Sequence, residues 1–266
     1  MPSLPSTRYA GLINLTKPDD PQAEDYMVFR AGILPPSENI KVPLYDMRDE
    51  VKQSDGSWLP AAQQLDQSGF ACSQDPSAFD EEALSTPEGV AGYLEETVNR
   101  IRRNDPTPPA VAAEILQYKV EEGFVPKTMP RPIARNAHCD QTYGEDCFEK
   151  YSRGQIVNLW RPLVKVTNAP LAVMDYRTLE VDKDVGVHAS AFGPLYHFFH
   201  NEQQKWYYIP NQTPSDALWI RCFDSKKGTA AYAPHVAVQE TWGDEVPPEE
   251  QQTRVSIEVR LFLFFE

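Results

Sequence analysis

The sequence predicts a mainly β protein with flanking helices, of the jelly-roll class. Its 24 prolines and 13 glycines in 266 residues imply many turns and short extended segments. From Pro130 onward, short apolar segments alternate with turns at regular spacing, as in folds built from two β-sheets. We therefore expect one domain over residues 1–266, in which residues 130–266 form the jelly-roll core and residues 1–129 form an N-terminal elaboration.

Within the N-terminal part, residues 87–103 are predicted to form a helix. Ser85 or Thr86 can cap this helix, and Pro87 suits its first turn. Its apolar residues recur at helical spacing and form one stripe, which is expected to pack on the core. The stripe consists of Val90, Tyr93, Leu94, Val98 and Ile101.

The strand predictions follow the alternation of side chains along extended segments. In the second half they cover residues 155–166, 170–175, 195–200, 206–210, 217–224 and 253–265. Residues 65–70 are expected to be a turn that leads into a strand, with Gly69 free to take a positive φ. Residues 111–119 fit either a helix or a strand.

Charge and cysteine content limit the classes of function. Lysine and arginine number 25 against 39 aspartates and glutamates, and the resulting net charge of −14 repels phosphate backbones and anionic membranes. We therefore expect a small-molecule substrate and neither nucleic acid nor membrane as a partner; the oligomeric state is unknown. The scattered Cys72, Cys139, Cys147 and Cys222 argue against zinc or disulfide frameworks, and residues 1–15 do not resemble a secretory leader. These features predict a cytoplasmic protein.

The predicted chemistry centres on His138 and Asp140. On a strand, residues two apart share a face with Cα atoms about 6.6 Å apart, so this imidazole and carboxylate can bind one ion. The pair alone fits a surface hydrogen bond equally well, and Cys139 between them should point the other way as buried filler. His235, just before the terminal strand, is the best-placed third ligand, and together these three match the ligand set of non-haem Fe(II) oxygenases. The alternative histidines are His188, His197 and His200.

Polar residues on the terminal strand offer an anchor for a co-substrate. Arg254, Ser256, Glu258 and Arg260 share one face, which would be exposed to solvent in an ordinary amphipathic strand. An arginine fork binds a carboxylate in bidentate fashion, and a hydroxyl two residues away can donate to the same group. Arg254 with Ser256 therefore fits the far carboxylate of 2-oxoglutarate, and Arg260 is the rival anchor.

Several motifs in one order carry a family resemblance. They are residues 65–70, 138–142, 157–163, 170–175, 206–208, 213–216, 223–225, His235 and residues 254–260. With them the sequence resembles the AsaB-type hydroxylase/desaturase family of fungal Fe(II)/2-oxoglutarate-dependent oxygenases, which includes gibberellin desaturase-like and cephamycin methoxylation protein-like members. The resemblance implies a double-stranded β-helix, a cupin-like jelly roll, with Fe(II) bound by His138, Asp140 and His235.

The same resemblance implies a site for the co-substrates 2-oxoglutarate and O₂. Arg254 and Ser256 would bind the 2-oxoglutarate carboxylate. Asn158 and Arg161 would line the co-substrate or substrate side, and a structural role for Arg161 is equally open. Cys139 stands where the family commonly has an aliphatic residue, one of several departures that leave the substrate undetermined.

The leading hypothesis is an Fe(II)/2-oxoglutarate-dependent oxygenase of specialised metabolism. It would hydroxylate, desaturate or cyclise its substrate at an unactivated C–H bond. One alternative is a jelly-roll metal enzyme of hydrolase or isomerase type with zinc or manganese, which needs no arginine anchor. The other is a non-catalytic, cupin-like binding protein that keeps a degenerate site.

Overall fold

The computed structural model describes residues 9–16, 37–102, 112–121, 137–139, 150–190, 193–242 and 246–266. The strands are β1 (Tyr9–Thr16), β2 (Ser37–Asp46), β3 (Phe70–Gln74), β4 (Ala112–Glu121), β5 (His138–Cys139), β6 (Arg153–Pro162), β7 (Leu171–Met174), β8 (Val185–Ser190), β9 (Gly193–Phe198), β10 (Trp206–Tyr208), β11 (Asp216–Asp224), β12 (His235–Ala237), β13 (Glu240–Trp242) and β14 (Ser256–Phe265). The helices are α1 (Met47–Val51), α2 (Ala61–Ser68), α3 (Pro87–Arg102) and α4 (Val181–Asp184).

In the described part of the chain, the strands form two sheets. The larger sheet has nine strands in the order β13-β1-β2-β10-β7-β12-β5-β9-β8, and the smaller has five in the order β3-β11-β6-β14-β4. Most neighbouring strands come from distant parts of the sequence, as in a jelly roll, while β1–β2 and β8–β9 are consecutive. The mainly β architecture with flanking helices is as predicted from the sequence.

Strands from the first half of the chain are built into both sheets. Strand β3 pairs with β11 and β4 pairs with β14, at the two edges of the smaller sheet, while β2 joins β10 in the larger one. The pairing therefore crosses the boundary drawn between residues 129 and 130. Of residues 111–119, which fitted a helix or a strand, residues 112–119 belong to β4.

Helix α3 covers the face of the smaller sheet that is turned away from the larger sheet. It begins at the predicted Pro87, and the Thr86 hydroxyl caps it by accepting a hydrogen bond from the Gly89 N–H at 3.0 Å. Val90, Tyr93 and Ile101 of the predicted stripe are buried in one cluster with apolar residues of β6, β11 and β14. The stripe is therefore core, as expected.

Two segments differ from the prediction. Residues 61–68, of which 65–68 were expected to be a turn, form α2, which ends at Gly69 with the predicted positive φ of 86°. The residue before this helix, Pro60, offers no capping side chain, so the usual start signal is missing. Strand β8 occupies the expected loop around His188, because it pairs along its length with β9.

The interior between the sheets is apolar around a few polar residues. Trp160, Leu218 and Ile220 of the smaller sheet pack with Val173 and Tyr207 of the larger sheet. The aromatic residues predicted to be core are all buried, namely Trp160, Trp206, Tyr207, Tyr208 and Trp219. None of the described helices is long and apolar enough to cross a membrane.

Candidate metal and co-substrate site

A row of paired residues crosses one face of the larger sheet. Directly opposed residues on neighbouring strands share a face, so each pair extends the row by one strand. In order, the row consists of Tyr45, Tyr207, Val173, His235, His138, His197 and Gly186. The sheet thus places side by side the two histidines that the sequence proposed as metal ligands.

His138 and His235 form a compact imidazole pair. Their ring centroids are 4.5 Å apart with planes inclined at 52°, and His235 is only 3 % exposed. The Nδ1 atom of His235 lies 3.1 Å from the carbonyl oxygen of Ala233. When Nδ1 donates this hydrogen bond, the lone pair of the ring is on Nε2, the arrangement by which metal-binding histidines are oriented. The pair therefore fits a divalent metal such as Fe(II).

The third predicted ligand, Asp140, lies outside the described residues. Two of the three proposed ligands are thus in place, and within the described ranges no group of three His, Cys, Asp or Glu side chains is arranged to hold a metal. Asp140 follows Cys139 directly, and Cys139 is fully buried with its Sγ 3.7 Å from the carbonyl oxygen of Cys222. The assignment of Asp140 stays a prediction.

The contacts of the alternative histidines favour other roles. His197 follows His138 in the row, but its ring lies against Gly186, where a Cβ atom would collide with Nε2. Its Nδ1 is 3.1 Å from the Thr16 hydroxyl. His200 is exposed. These contacts support packing and surface roles for the two, while for His188 only the backbone, in β8, is described.

The polar face of β14 is buried, and so is Arg254, two residues before the strand begins. Arg254, Ser256, Glu258 and Arg260 are 2 %, 0 %, 5 % and 7 % exposed, which excludes the solvent-facing alternative. In the ladder, Glu258 is opposite Trp160 of β6, so this face is turned toward the interior between the sheets. Buried charges need partners, and such a concentration of them marks a site with a specific task.

The two rival anchors have different surroundings. Arg254 donates from Nη1 to the carbonyl oxygen of Ala169 at 2.6 Å, and its guanidinium lies over the Trp160 ring at 5.4 Å. Arg260 donates from Nε to Oδ1 of Asn158 at 3.0 Å. Asn158, predicted to line the site, is therefore hydrogen-bonded to Arg260, whereas Arg254 contacts Ala169 and Trp160.

Trp160 connects the two halves of the candidate site. It belongs to the same buried cluster as Val173, and Val173 is paired directly with His235 in the larger sheet. The imidazole pair therefore adjoins, through Val173, the buried cluster that contains Trp160, on which Arg254 lies.

Arg161 is on the opposite face of β6. Its Nη1 donates to the carbonyl oxygens of Asp75 at 2.5 Å and Pro214 at 2.7 Å, and its Nε is 3.4 Å from the Tyr93 hydroxyl. Nη2 forms an ion pair with the Asp75 carboxylate at 3.4 Å. Of the two roles that the sequence left open for Arg161, these contacts support the structural one.

Sequence reasoning missed Trp160 and Ala169 as neighbours of the anchor. Trp160 reads as an ordinary core residue, and only the position of Arg254 gives it a further role. Ala169 has a φ of 48°, which is unusual for a residue other than glycine. The following Pro170 does not signal this conformation, because proline favours an extended backbone in the residue before it.

Comparison with known proteins identifies the family. A family model described as "Oxidoreductase/YMDC permease-like domain" matches residues 13–264. The chain belongs to this family. Among the curated proteins that this chain resembles, the hydroxylase/desaturase asaB of Aspergillus flavus is 37 % identical over 134 residues, which are 43 % of this chain and 57 % of asaB. The Fe(II)/2-oxoglutarate-dependent dioxygenase nvfI of Aspergillus novofumigatus is 31 % identical over 149 residues, 49 % of this chain and 52 % of nvfI.

These relatives confirm the resemblance to the AsaB-type family, although the alignments span only about half the length of each. Among solved structures, the iron and alpha-ketoglutarate-dependent endoperoxidase NvfI superposes with a TM-score of 0.75 at 21 % identity, over 97 % of this chain and 98 % of NvfI. The double-stranded β-helix predicted for this family member is therefore confirmed.

Proposed function

We propose that this protein is a non-haem Fe(II)/2-oxoglutarate-dependent oxygenase that oxidises an unactivated C–H bond of a specialised-metabolite intermediate. The observation that carries the proposal is the compact pair of His138 and His235. Through Val173 this pair adjoins the buried cluster of Trp160, on which the buried Arg254 lies. His138, Asp140 and His235 would bind Fe(II), which supplies the oxidising chemistry together with 2-oxoglutarate and O₂.

The protein's own residues bind the co-substrate, orient a metal ligand and exclude water. Arg254 and Ser256 hold the far carboxylate of 2-oxoglutarate, since both are buried and a guanidinium can bind a carboxylate through two parallel hydrogen bonds. The Ala233 carbonyl fixes the ring of His235. The apolar cluster around Trp160 and Val173 excludes water from the space between the sheets.

The substrate is a small molecule, and the outcome is hydroxylation, desaturation or ring formation. Relatives carry names of several of these types, including a hydroxylase/desaturase from Aspergillus flavus and a desaturase of the gibberellin cluster from Gibberella fujikuroi. The choice among these outcomes after hydrogen removal depends on how the pocket holds the substrate. We place the protein in the cytoplasm, in keeping with its acidic sequence and scattered cysteines.

Anaerobic reconstitution tests the proposal. The protein loaded with Fe(II) and 2-oxoglutarate should show the weak visible charge-transfer band of a chelated 2-oxoacid. His235→Ala should lose both the band and tight iron binding, whereas the exposed His200→Ala should keep both. A folded, iron-loaded protein that forms no band with 2-oxoglutarate would overturn the proposal and favour the hydrolase or binding-protein alternatives.

A further inference from the structure

We propose that Trp160 and the backbone carbonyl of Ala169 are positioning groups for Arg254, and that together they hold its guanidinium ready for the far carboxylate of a dicarboxylic 2-oxoacid. The inference rests on the proposed function and deepens it, because it explains how one arginine of the buried face is selected as the anchor. Neither group would touch the metal.

Trp160 supports the guanidinium from one face. The central carbon of the Arg254 guanidinium lies 5.4 Å from the ring centroid of Trp160, within the range of a cation–π interaction. Both side chains are almost fully buried, at 1 % and 2 % exposed. An aromatic face in a dry interior partly replaces the water that the charge has lost, and it also fixes the plane of the guanidinium.

Ala169 fixes the guanidinium from its edge. The φ of 48° at Ala169 is sterically unfavourable for a residue with a Cβ atom, and the next residue, Pro170, adds a second restriction. Backbone strain of this kind is concentrated at functional sites. Here it directs a carbonyl oxygen to within 2.6 Å of Arg254 Nη1.

The loop that carries Ala169 is itself tied to the segment that leads to Arg254. The Thr167 hydroxyl accepts from the Gln252 N–H at 2.9 Å, and the Lys165 carbonyl accepts from Gln252 Nε2 at 2.8 Å. The Val255 carbonyl accepts from the Leu163 N–H at 2.8 Å. Hydrogen bonds therefore join this loop to the segment on both sides of Arg254.

The contacts of Trp160 and Ala169 with the Arg254 guanidinium matter for ligand affinity because an arginine side chain has many rotamers. A guanidinium that is already held in one orientation loses less conformational entropy when an anion binds. Removal of these contacts should therefore lower the affinity for a ligand that reaches Arg254 and leave unchanged the affinity for a ligand that does not.

Equilibrium binding of two ligands tests this inference in anaerobic, Fe(II)-loaded protein. 2-Oxoglutarate reaches the anchor, whereas oxalate chelates iron but has no far carboxylate. Trp160→Leu should raise the dissociation constant of 2-oxoglutarate about 3- to 30-fold and leave those of oxalate and Fe(II) unchanged. Trp160→Phe restores an aromatic face and should recover most of the affinity.

Trp219→Leu is the matched control, because Trp219 is an equally buried tryptophan on the opposite face of the same sheet. Equal weakening of 2-oxoglutarate and oxalate by Trp160→Leu, or equal effects of the two leucine variants, would overturn the positioning role. If Trp160→Leu does not fold, Trp160→Phe is compared with Trp219→Phe. Only Trp160→Phe should weaken 2-oxoglutarate selectively, by a small residual factor, because phenylalanine is a weaker cation–π partner than tryptophan. Failure of the unmodified protein to bind 2-oxoglutarate would instead contradict the proposed function, and full affinity in Arg254→Ala would contradict the choice of anchor.

Discussion

At the scale of single residues, neighbouring positions on β6 have opposite tasks. Trp160 faces the interior, where its ring contacts the Arg254 guanidinium. Arg161 faces α3 and donates hydrogen bonds to backbone carbonyls. Arg161→Met would leave the Asp75 carboxylate and two carbonyls without this donor. We expect it to lower the free energy of unfolding by roughly 2–4 kcal/mol, because a buried partner is lost. Urea unfolding measures this cost.

The same variant separates a structural from a co-substrate role. In folded Arg161→Met, the dissociation constant of 2-oxoglutarate should equal that of the unmodified protein. Lys183→Ala, which removes an exposed lysine from a surface ion pair, serves as the control and should leave the unfolding midpoint unchanged. A selective loss of 2-oxoglutarate affinity would instead show that Arg161 acts in the co-substrate site.

The sequence predicted which way these side chains point, but not what they touch. Asn158 and Arg161 are three residues apart, so strand alternation places them on opposite faces of β6, as the structure shows. Strand alternation also grouped Arg254 with Arg260, yet these two arginines have different partners. Their partners depend on the register between strands and on a loop conformation at Ala169, and neither is encoded in local periodicity.

At the scale of elements, the end of α2 depends on one glycine. Gly69 has a φ of 86°, and an added Cβ atom would lie 2.6 Å from the Tyr232 carbonyl oxygen. Gly56 has nearly the same φ, 85°, with nothing near a Cβ atom. Gly56→Ala should therefore cost about 1 kcal/mol from the left-handed conformation alone. Gly69→Ala should cost roughly 1–3 kcal/mol more, because the backbone must also move.

Chemical denaturation of the two variants isolates that contact energy. The difference between their losses in free energy of unfolding reports the collision with Tyr232, since the strain from positive φ is common to both variants. Equal losses of stability would mean that the chain around Gly69 adjusts freely. In that case the junction between α2 and β3 is softer than the structure indicates.

Elements with strong local signals were predictable, and those that depend on distant partners were not. Helix α3 has a cap and an amphipathic stripe, so its sequence is sufficient. Strand β4 became a strand by pairing with β14, and β8 by pairing with β9. Their patterns alone were ambiguous, because a strand gains its stability from its neighbours.

At the scale of the whole molecule, a network of charges joins α2 to the smaller sheet. Arg153 of β6 binds Asp224 of β11 through two nitrogens and reaches Asp66 of α2 at 2.6 Å. Arg221 of β11 also donates to Asp66, at 2.9 Å. The helix is thereby held to two strands on the side of the sheet away from the imidazole pair. The network contributes to the fold rather than to the site.

This network predicts how the protein loses stability in acid. Burial raises the pKa of Asp66, but the hydrogen bonds from Arg153 and Arg221 outweigh burial and hold that pKa below its usual 3.8. A carboxyl with a lowered pKa in the folded state contributes stability above its unfolded pKa and loses it as the pH falls through the folded one. The melting temperature should therefore drop as the pH falls below about 4.

Asp66→Asn should remove this contribution to stability, because it removes the carboxyl group itself. Near neutral pH its melting temperature should be lower by roughly 2–4 °C, a modest value because Asp66 is partly exposed and solvent screens its charge. Its decline in acid should be shallower than that of the unmodified protein, since one titrating group is gone. Thermal melts across the acidic range measure both effects, with the exposed Asp182→Asn as the control. Parallel acid profiles for Asp66→Asn and the unmodified protein would show that other carboxylates govern acid unfolding.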